Sequence, residues 1–477
     1  MVFLKDKATL KYIGLNNTLV NLKRTDSVWN YQFLVDYFSS PKKSTSNKDS
    51  LSIDLKILQI ENLTFNQVDQ WAGKDMKVAV EKLELYADDI NFFDKKIFIN
   101  TLNFKSPVFS QYNYPGNRPV RINTTDVDTV KTVAPLTNYQ WNNAGWRAAV
   151  GNIKITNGIF NNERKTERAI YTDRFDAQHL HVFNISGDIK NIRWEHDTVK
   201  AAVSLSAKER SKLDIKKFQT NMVLHPRLIE FNDLDLQINN SKLGNYYAME
   251  YKNMSKDMGD FLHKVNLEGR FKNSIIHTDD LAIFAPALKS WKRILYIDGL
   301  AKGTIDNLSA RNMIIKSGST FLEGNISLRG LPDINTTFID FNANSLQTNY
   351  TDLATFIPSL KTITRPQLSK LGTIYYKGNF TGFVNDFVAY GSFNTNLGSL
   401  TADLNMKVPA GKTPTYSGKI STASFKLGEF FSNKLLGNIA ASGTINGSSF
   451  KAQNLNANFI GDIKSITVNN YNYQNIK

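Results

Sequence analysis

The sequence predicts an all-β-dominated fold: an elongated, curled β-sheet that forms an apolar trough, with a few short amphipathic helices. Three observations carry this expectation. Apolar and polar residues alternate in many short stretches, as a strand with one oily face and one wet face requires. Phe (30) and Tyr (19), which suit pleated, half-buried surfaces, are abundant. Helical spacing is rare, so there is little helix to cover a sheet with a second layer. The clearest stretch is GSLTADLNMKVPA (398–410), where Leu400, Ala402, Leu404, Met406 and Val408 share one parity and Thr401, Asp403, Asn405 and Lys407 the other.

Along the chain, residues 1–66 read as strands with one interruption. DSVWNYQFLVDYF (26–38) has helical spacing, with Asp26 or Ser27 as its cap. A polar loop at 39–50 precedes the strand-like runs 51–65 and 78–92, and strands resume at GNIKITNGIF (151–160), where Asn157-Gly158 suggests a hairpin turn. Between Lys105 and Tyr139 the alternation lapses among Pro107, Pro115, Gly116, Pro119 and Pro135, which reads as a surface excursion. The expected organisation is an N-terminal β region (1–104), an irregular insertion (105–150), groove-forming strands (151–275) and helix-plus-strand repeats (276–477).

Two repeats appear from about residue 180 onward. An apolar-x-Gly-x-apolar theme occurs at Ile185–Ile189, Leu267–Phe271, Leu322–Ile326 and Tyr376–Phe380, with looser copies at Ala301–Ile305 and Ala441–Ile445. These glycines are either plain bulges or points of close approach. A longer unit, TDDLAIFAPAL (278–288), recurs as YTDLATFIPSL (350–360) and more faintly as FKLGEFFSNKL (425–435), about every 70 residues. Thr278 or Asp279, and Thr351 or Asp352, are candidate caps of short helices that Pro286 and Pro358 limit, and such helices would plug or cap the trough locally.

The totals bound the function. A chain of 477 residues without cysteine has no disulfide, thiolate nucleophile or Cys-ligated metal, and fits a compartment such as a bacterial periplasm. The formal charge of +15 is spread out and mixed with acids, so it predicts a well-solvated surface and no nucleic-acid partner. No apolar run approaches the roughly 20 residues of a membrane helix. His179 and His181 share a strand face, but their spacing reads as a polar-face pair, and Asp126 and Asp128 lack the glycine and bidentate acid of a calcium loop. Phosphate-cradling, dinucleotide and nucleophile-elbow motifs are missing, so neither an enzyme nor a cofactor or metal is expected. Both ends look like strands cut from a longer polypeptide.

SVWNYQFLVDYF, the two DLAxF-x-P-x-L helices, FLEGNISLRGLPD followed by TTFIDF, and FKLGEFF…LLGNIAASGTING resemble TamB-like proteins of the AsmA superfamily, most closely the Bacteroidota version. The resemblance runs over most of the chain and is strongest between 260 and 450. It implies repeats that build a β-taco, a periplasmic protein anchored to the inner membrane, and phospholipid moving along the apolar groove towards the outer membrane. It also implies docking on an outer-membrane barrel of the BamA/TamA type, through parts not recognisable in this sequence.

The physics of such a carrier is simple. Exposing a ~16-carbon acyl chain to water costs about 12 kcal/mol, at about 0.8 kcal/mol per CH₂, so the lining must be unbroken. Roughly 25–30 strands at about 4.8 Å each would extend ~120–140 Å. The candidate lining residues are Leu234, Leu236, Ile238, Ile326, Leu328, Ile339, Phe341, Leu400, Leu404, Met406, Ile439 and Ile445. The alternatives are a closed sandwich core in a surface-fibre or adhesin repeat, a scaffold aiding insertion of outer-membrane proteins through open strand edges, an outer-membrane barrel, and a periplasmic carbohydrate-active enzyme.

Overall fold

The computed structural model describes residues 11–38, 55–92, 94–119, 141–363, 366–409, 411–449 and 454–476. The expected loop at 39–50, much of the proline-containing stretch, and Asp126 and Asp128 lie outside the described residues. Strand makes up 65% and helix 11%, which establishes the all-β-dominated class with few short helices. The chain divides into two compact units, Met1–Asn239 and Asn240–Lys477.

In the first unit, β1 (Tyr12–Asn16) and β2 (Leu19–Arg24) run in line and both pair in parallel with β3 (Ile57–Asp69). The helix α1 (Gln32–Phe38) follows β2 and begins later than the cap residues suggest. Asp26 Oδ1 instead accepts a hydrogen bond from Val28 N at 2.9 Å, closing a local turn. Next come β4 (Lys74–Asn91), β5 (Lys96–Lys105), β6 (Val108–Asn113) and β7 (Arg147–Arg164). β5 and β6 are two halves of one line between β4 and β7, broken at Ser106-Pro107, because proline has no N–H to donate to a ladder. β6 therefore falls inside the stretch that its prolines mark as irregular. β8 (His179–Glu195), β9 (Thr198–Glu209), β10 (Leu213–His225) and β11 (Leu228–Ile238) complete an antiparallel meander.

Asn157-Gly158 is not a hairpin turn. It lies in the middle of β7, on a line of residues with left-handed backbone that crosses the sheet: Asn17 (φ 49°), Asn62 (53°), Ser106 (49°), Asn157 (56°) and Asn184 (54°). Asn and Ser tolerate this conformation better than branched residues do. Asn62 Nδ2 donates along the line to Asn17 Oδ1 at 3.0 Å, and Ser106 Oγ donates to Glu81 Oε2 of the adjacent β4 at 3.0 Å. At the same level the alternation slips by one residue. Leu58 and Ile60 precede it and Leu63 and Phe65 follow it in β3, as Ile153 and Ile155 precede Gly158 and Phe160 in β7. The slip keeps one apolar face across the crease, with Ile60, Leu83, Phe104 and Ile155 in register on one side and Phe65, Val78, Phe109 and Phe160 on the other.

The second unit is an antiparallel meander of β12 (Ser241–Glu250), β13 (Asn266–His277), β14 (Ile294–Thr304), β15 (Asn307–Ser317), β16 (Thr320–Arg329), β17 (Phe338–Asn349), β18 (Thr373–Phe383), β19 (Asp386–Thr395), β20 (Gly398–Lys407), β21 (Thr415–Lys426), β22 (Leu436–Ser448), β23 (Asn456–Val468) and β24 (Tyr471–Ile476). Short helices α2 (Met254–Asp257) and α3 (Phe261–Lys264) join β12 to β13. The repeated motif forms α4 (Thr278–Leu281), α5 (Tyr350–Phe356) and α6 (Leu427–Phe431), each leading from one strand into the next. Among the described residues no helix is long and apolar enough to cross a membrane.

The expected helix caps are corrected. Asn349 caps α5, accepting from Asp352 N at 2.9 Å, and His277 precedes α4 without a side-chain cap bond. The repeated aspartates hold a neighbouring strand start instead. Asp280 Oδ2 accepts from Ser241 Oγ at 2.6 Å and Asn240 N at 3.0 Å, while Asp352 Oδ2 accepts from Ser319 N at 2.8 Å and Thr320 Oγ1 at 3.2 Å. Both carboxylates are buried, which makes these bonds obligatory.

Candidate functional site

The candidate site is the apolar face of the sheet in the second unit. Register places its side chains in rows that cross the strands. One row runs Leu308, Leu328, Ile339, Gly382, Phe387, Met406, Tyr416; the next runs Ala310, Ile326, Phe341, Phe380, Ala389, Leu404, Gly418, Ile445, Phe459. Leu400 pairs with Phe393, and Ile439 sits between Phe425 and Ile466. All nine candidate residues of this unit therefore fall on one continuous surface. Each is half-buried, whereas Ser399, Thr401, Asp403, Asn405 and Lys407 on the opposite face of β20 are exposed.

In the first unit, Leu236 faces Phe218 and Ile238 faces Ile215 across β10 and β11, both half-buried, while Leu234 is only 7% exposed and belongs to the packed core. The distinction matters because residues at the centre of a closed sandwich become fully buried. Eleven of the twelve candidates keep part of their surface accessible.

Between the rows of bulky residues lies a row of small ones: Gly324, Ala343, Gly378, Gly391 and Ala402 are directly opposed in turn. The glycine theme thus marks close approach. A Cβ on Gly378 would lie 2.0 Å from Tyr390 O, and one on Gly324 would lie 2.1 Å from Asn342 O. The same vacancy lets an aromatic ring lie flat on the sheet. A Cβ on Gly391 would be 2.8 Å from Tyr376 Cε2, and one on Gly443 would be 2.7 Å from Phe459 Cζ. Tyr376 Oη is within hydrogen-bond distance of Asn379 O (2.8 Å) and Tyr390 O (3.0 Å), and burial pushes its hydroxyl pKa up to about 12. Rings seated over glycine in this way are part of the apolar lining. Tyr376, Phe380, Phe387, Phe393, Phe425 and Phe459 belong to this surface and are additions to the expected set; parity shared with a glycine of the same strand is the signal for all but Phe425, which a register shift separates from Gly418.

The helical segments line the ends of the strands. Trp291 and Phe356 meet edge-to-face at 5.1 Å, Arg293 Nη2 lies 2.9 Å from Asp352 Oδ1, and Gln367 N donates to Phe430 O at 2.9 Å. Successive repeats are thereby joined along that edge.

The histidine pair lies on the polar face. His179 Nδ1 is 2.7 Å from Glu163 Oε2 and its Nε2 is 2.8 Å from Thr166 Oγ1, so both ring nitrogens are engaged. His181 Nδ1 is 2.5 Å from Asn161 Oδ1. Among the described residues no group of three or more His, Cys, Asp or Glu is arranged to hold a metal ion. Among the carboxylates held below the usual range are Asp69, through its bidentate bonds from Arg24 at 2.7 Å, and Asp176, through those from Arg168 at 2.7 and 2.8 Å.

No protein-family model, curated protein or solved structure matches this chain.

Proposed function

We propose that this chain is part of a TamB-like carrier of the AsmA superfamily, whose apolar sheet face takes the acyl chains of phospholipid and conducts them between the inner and outer membranes across a bacterial periplasm. The observation that supports this reading most is the continuous face of half-buried Leu, Ile, Met and Phe residues, backed on the opposite parity by exposed residues that are mostly polar, with Tyr375, Val388 and Tyr390 as exposed exceptions. A packed core would bury such residues, and a purely structural sheet has no need to keep them accessible. The rings of Tyr376 and Phe459, seated over Gly391 and Gly443, would give hydrocarbon a low apolar surface to lie on. Transfer is non-enzymatic on this reading: the acyl chain exchanges one apolar environment for another, and the unbroken lining removes the cost of about 0.8 kcal/mol per exposed CH₂. Anchoring at the inner membrane and docking on a BamA/TamA-type barrel belong to the same proposal.

The test is lipid extraction and mass spectrometry of the protein purified under native conditions. Phospholipid retained in stoichiometric amount supports the carrier, and lipid-free protein contradicts it.

A further inference from the structure

On the polar face of the first unit, register brings one residue from each of six strands into a single row: Asn21, Asn66, Lys77, Ser110, Asn161 and His181. The row is bonded on either side of Lys77. Asn66 Nδ2 donates to Asn21 Oδ1 at 2.9 Å, Asn161 Nδ2 donates to Ser110 Oγ at 2.8 Å, and Asn161 Oδ1 meets His181 Nδ1. These bonds hold the side chains in place, yet each carboxamide has a second N–H to offer. The residues line a cavity of about 640 Å³, within the roughly 300–1,000 Å³ of small-molecule sites. Its remaining wall carries Tyr112, 41% exposed and stacked on Tyr114 at 5.3 Å. Tyr114 is fixed in turn, its hydroxyl donating to Asp75 Oδ1 at 2.8 Å.

We propose that this face binds an extended, β-linked oligosaccharide. The lining is amide, hydroxyl, ammonium and imidazole, with the Asp75 and Glu163 carboxylates and the apolar Val68 and Met76 beside them; the amides, hydroxyls and carboxylates match sugar hydroxyl and N-acetyl groups, and the apolar side chains match a sugar's C–H face. An exposed aromatic face beside such donors is an amphipathic stacking platform, suited to a ring with one apolar side. The spacing points to a polymer. Six strands at about 4.8 Å each place the row over about 24 Å, and the repeat of an extended β-linked hexose chain is close to one strand spacing. Each sugar would then meet the donors of one strand, with its chain running across the sheet. The row lies on the parity opposite to the apolar row Phe65, Val78, Phe109, Phe160, so occupancy of this site is independent of lipid carriage.

The experiment is isothermal titration calorimetry of the full chain with the hexamer of β-1,4-linked N-acetylglucosamine. Saturable binding is expected, weakened tenfold or more by Tyr112→Ala and about threefold by Lys77→Gln, with circular dichroism unchanged. Leu404→Glu, on the apolar face of the other unit, should leave the affinity as it is, which separates this site from lipid carriage. Absence of saturable heat, equal binding by Tyr112→Ala, or equal affinity for an α-1,4-linked glucose hexamer would overturn the proposal.

Discussion

Arg293 and Asp352 form an ion pair between two successive copies of the 70-residue repeat, with Nη2 2.9 Å from Oδ1. Asp352 is 4% exposed and also accepts bonds from Ser319 and Thr320, so one carboxylate joins a helix, a strand turn and the preceding repeat. Asp352→Ala removes the arginine's ion-pair partner and leaves Ser319 N without its acceptor, while Arg293 keeps Thr355 and Thr320 keeps Thr348, a loss of about 1–3 kcal/mol. Asp280→Asn, which keeps shape but weakens bonds to Ser241 and Asn240, should cost about 1–3 kcal/mol. Urea unfolding followed by circular dichroism measures both.

The opposed glycines make a second prediction. Gly391→Val forces a side chain into the space that the Tyr376 ring and the Lys377 carbonyl already occupy. We expect a loss of about 1–3 kcal/mol, the usual cost of overpacking, and an altered fluorescence of the tyrosine. An unchanged midpoint of denaturation would show that the ring does not lie flat on the glycines.

Stability should fall in acid for a defined reason. Asp69 and Asp176 have folded-state pKa values below their unfolded ones, so their stabilisation is complete above about pH 4 and is lost as pH falls further. Asp176→Asn should lower stability at neutral pH by about 1–3 kcal/mol and flatten the decline below about pH 4. Unfolding free energies measured between pH 7 and pH 3 test the sign.

Much of this architecture is legible in the sequence, because strand alternation is a local property that neighbours only reinforce. Leu400, Leu404 and Met406 read as one face and are one face. What the alternation hides is its interruptions. The slip at Asn62 and Asn157 resembles a turn signal locally, and only pairing with Asn17 and Ser106 shows it to be a crease within continuous strands. The aspartates of the repeat look like helix caps since they stand at helix starts; their partners, Ser241 and Ser319, are more than 30 residues earlier. Leu234 shares the parity of Leu236 and is nevertheless buried, since parity assigns a face and not a depth.

The lining itself can be probed by charge. Leu404→Glu and Leu236→Asp place a carboxylate among apolar neighbours that are still partly wet, so the fold should persist with strand-rich circular dichroism intact. On the proposed reading, retained phospholipid should fall at least tenfold in each variant, because each carboxylate interrupts the apolar face of its own unit. Equal lipid content in both variants would place the cargo elsewhere.

The most direct measurement compares Leu404 with Asp403, adjacent residues on opposite faces of β20. A photo-crosslinking amino acid is placed at each position in turn in cells, and adducts are identified by mass spectrometry. The account predicts phospholipid adducts at position 404 and none at 403; adducts at both positions, or at neither, would contradict it.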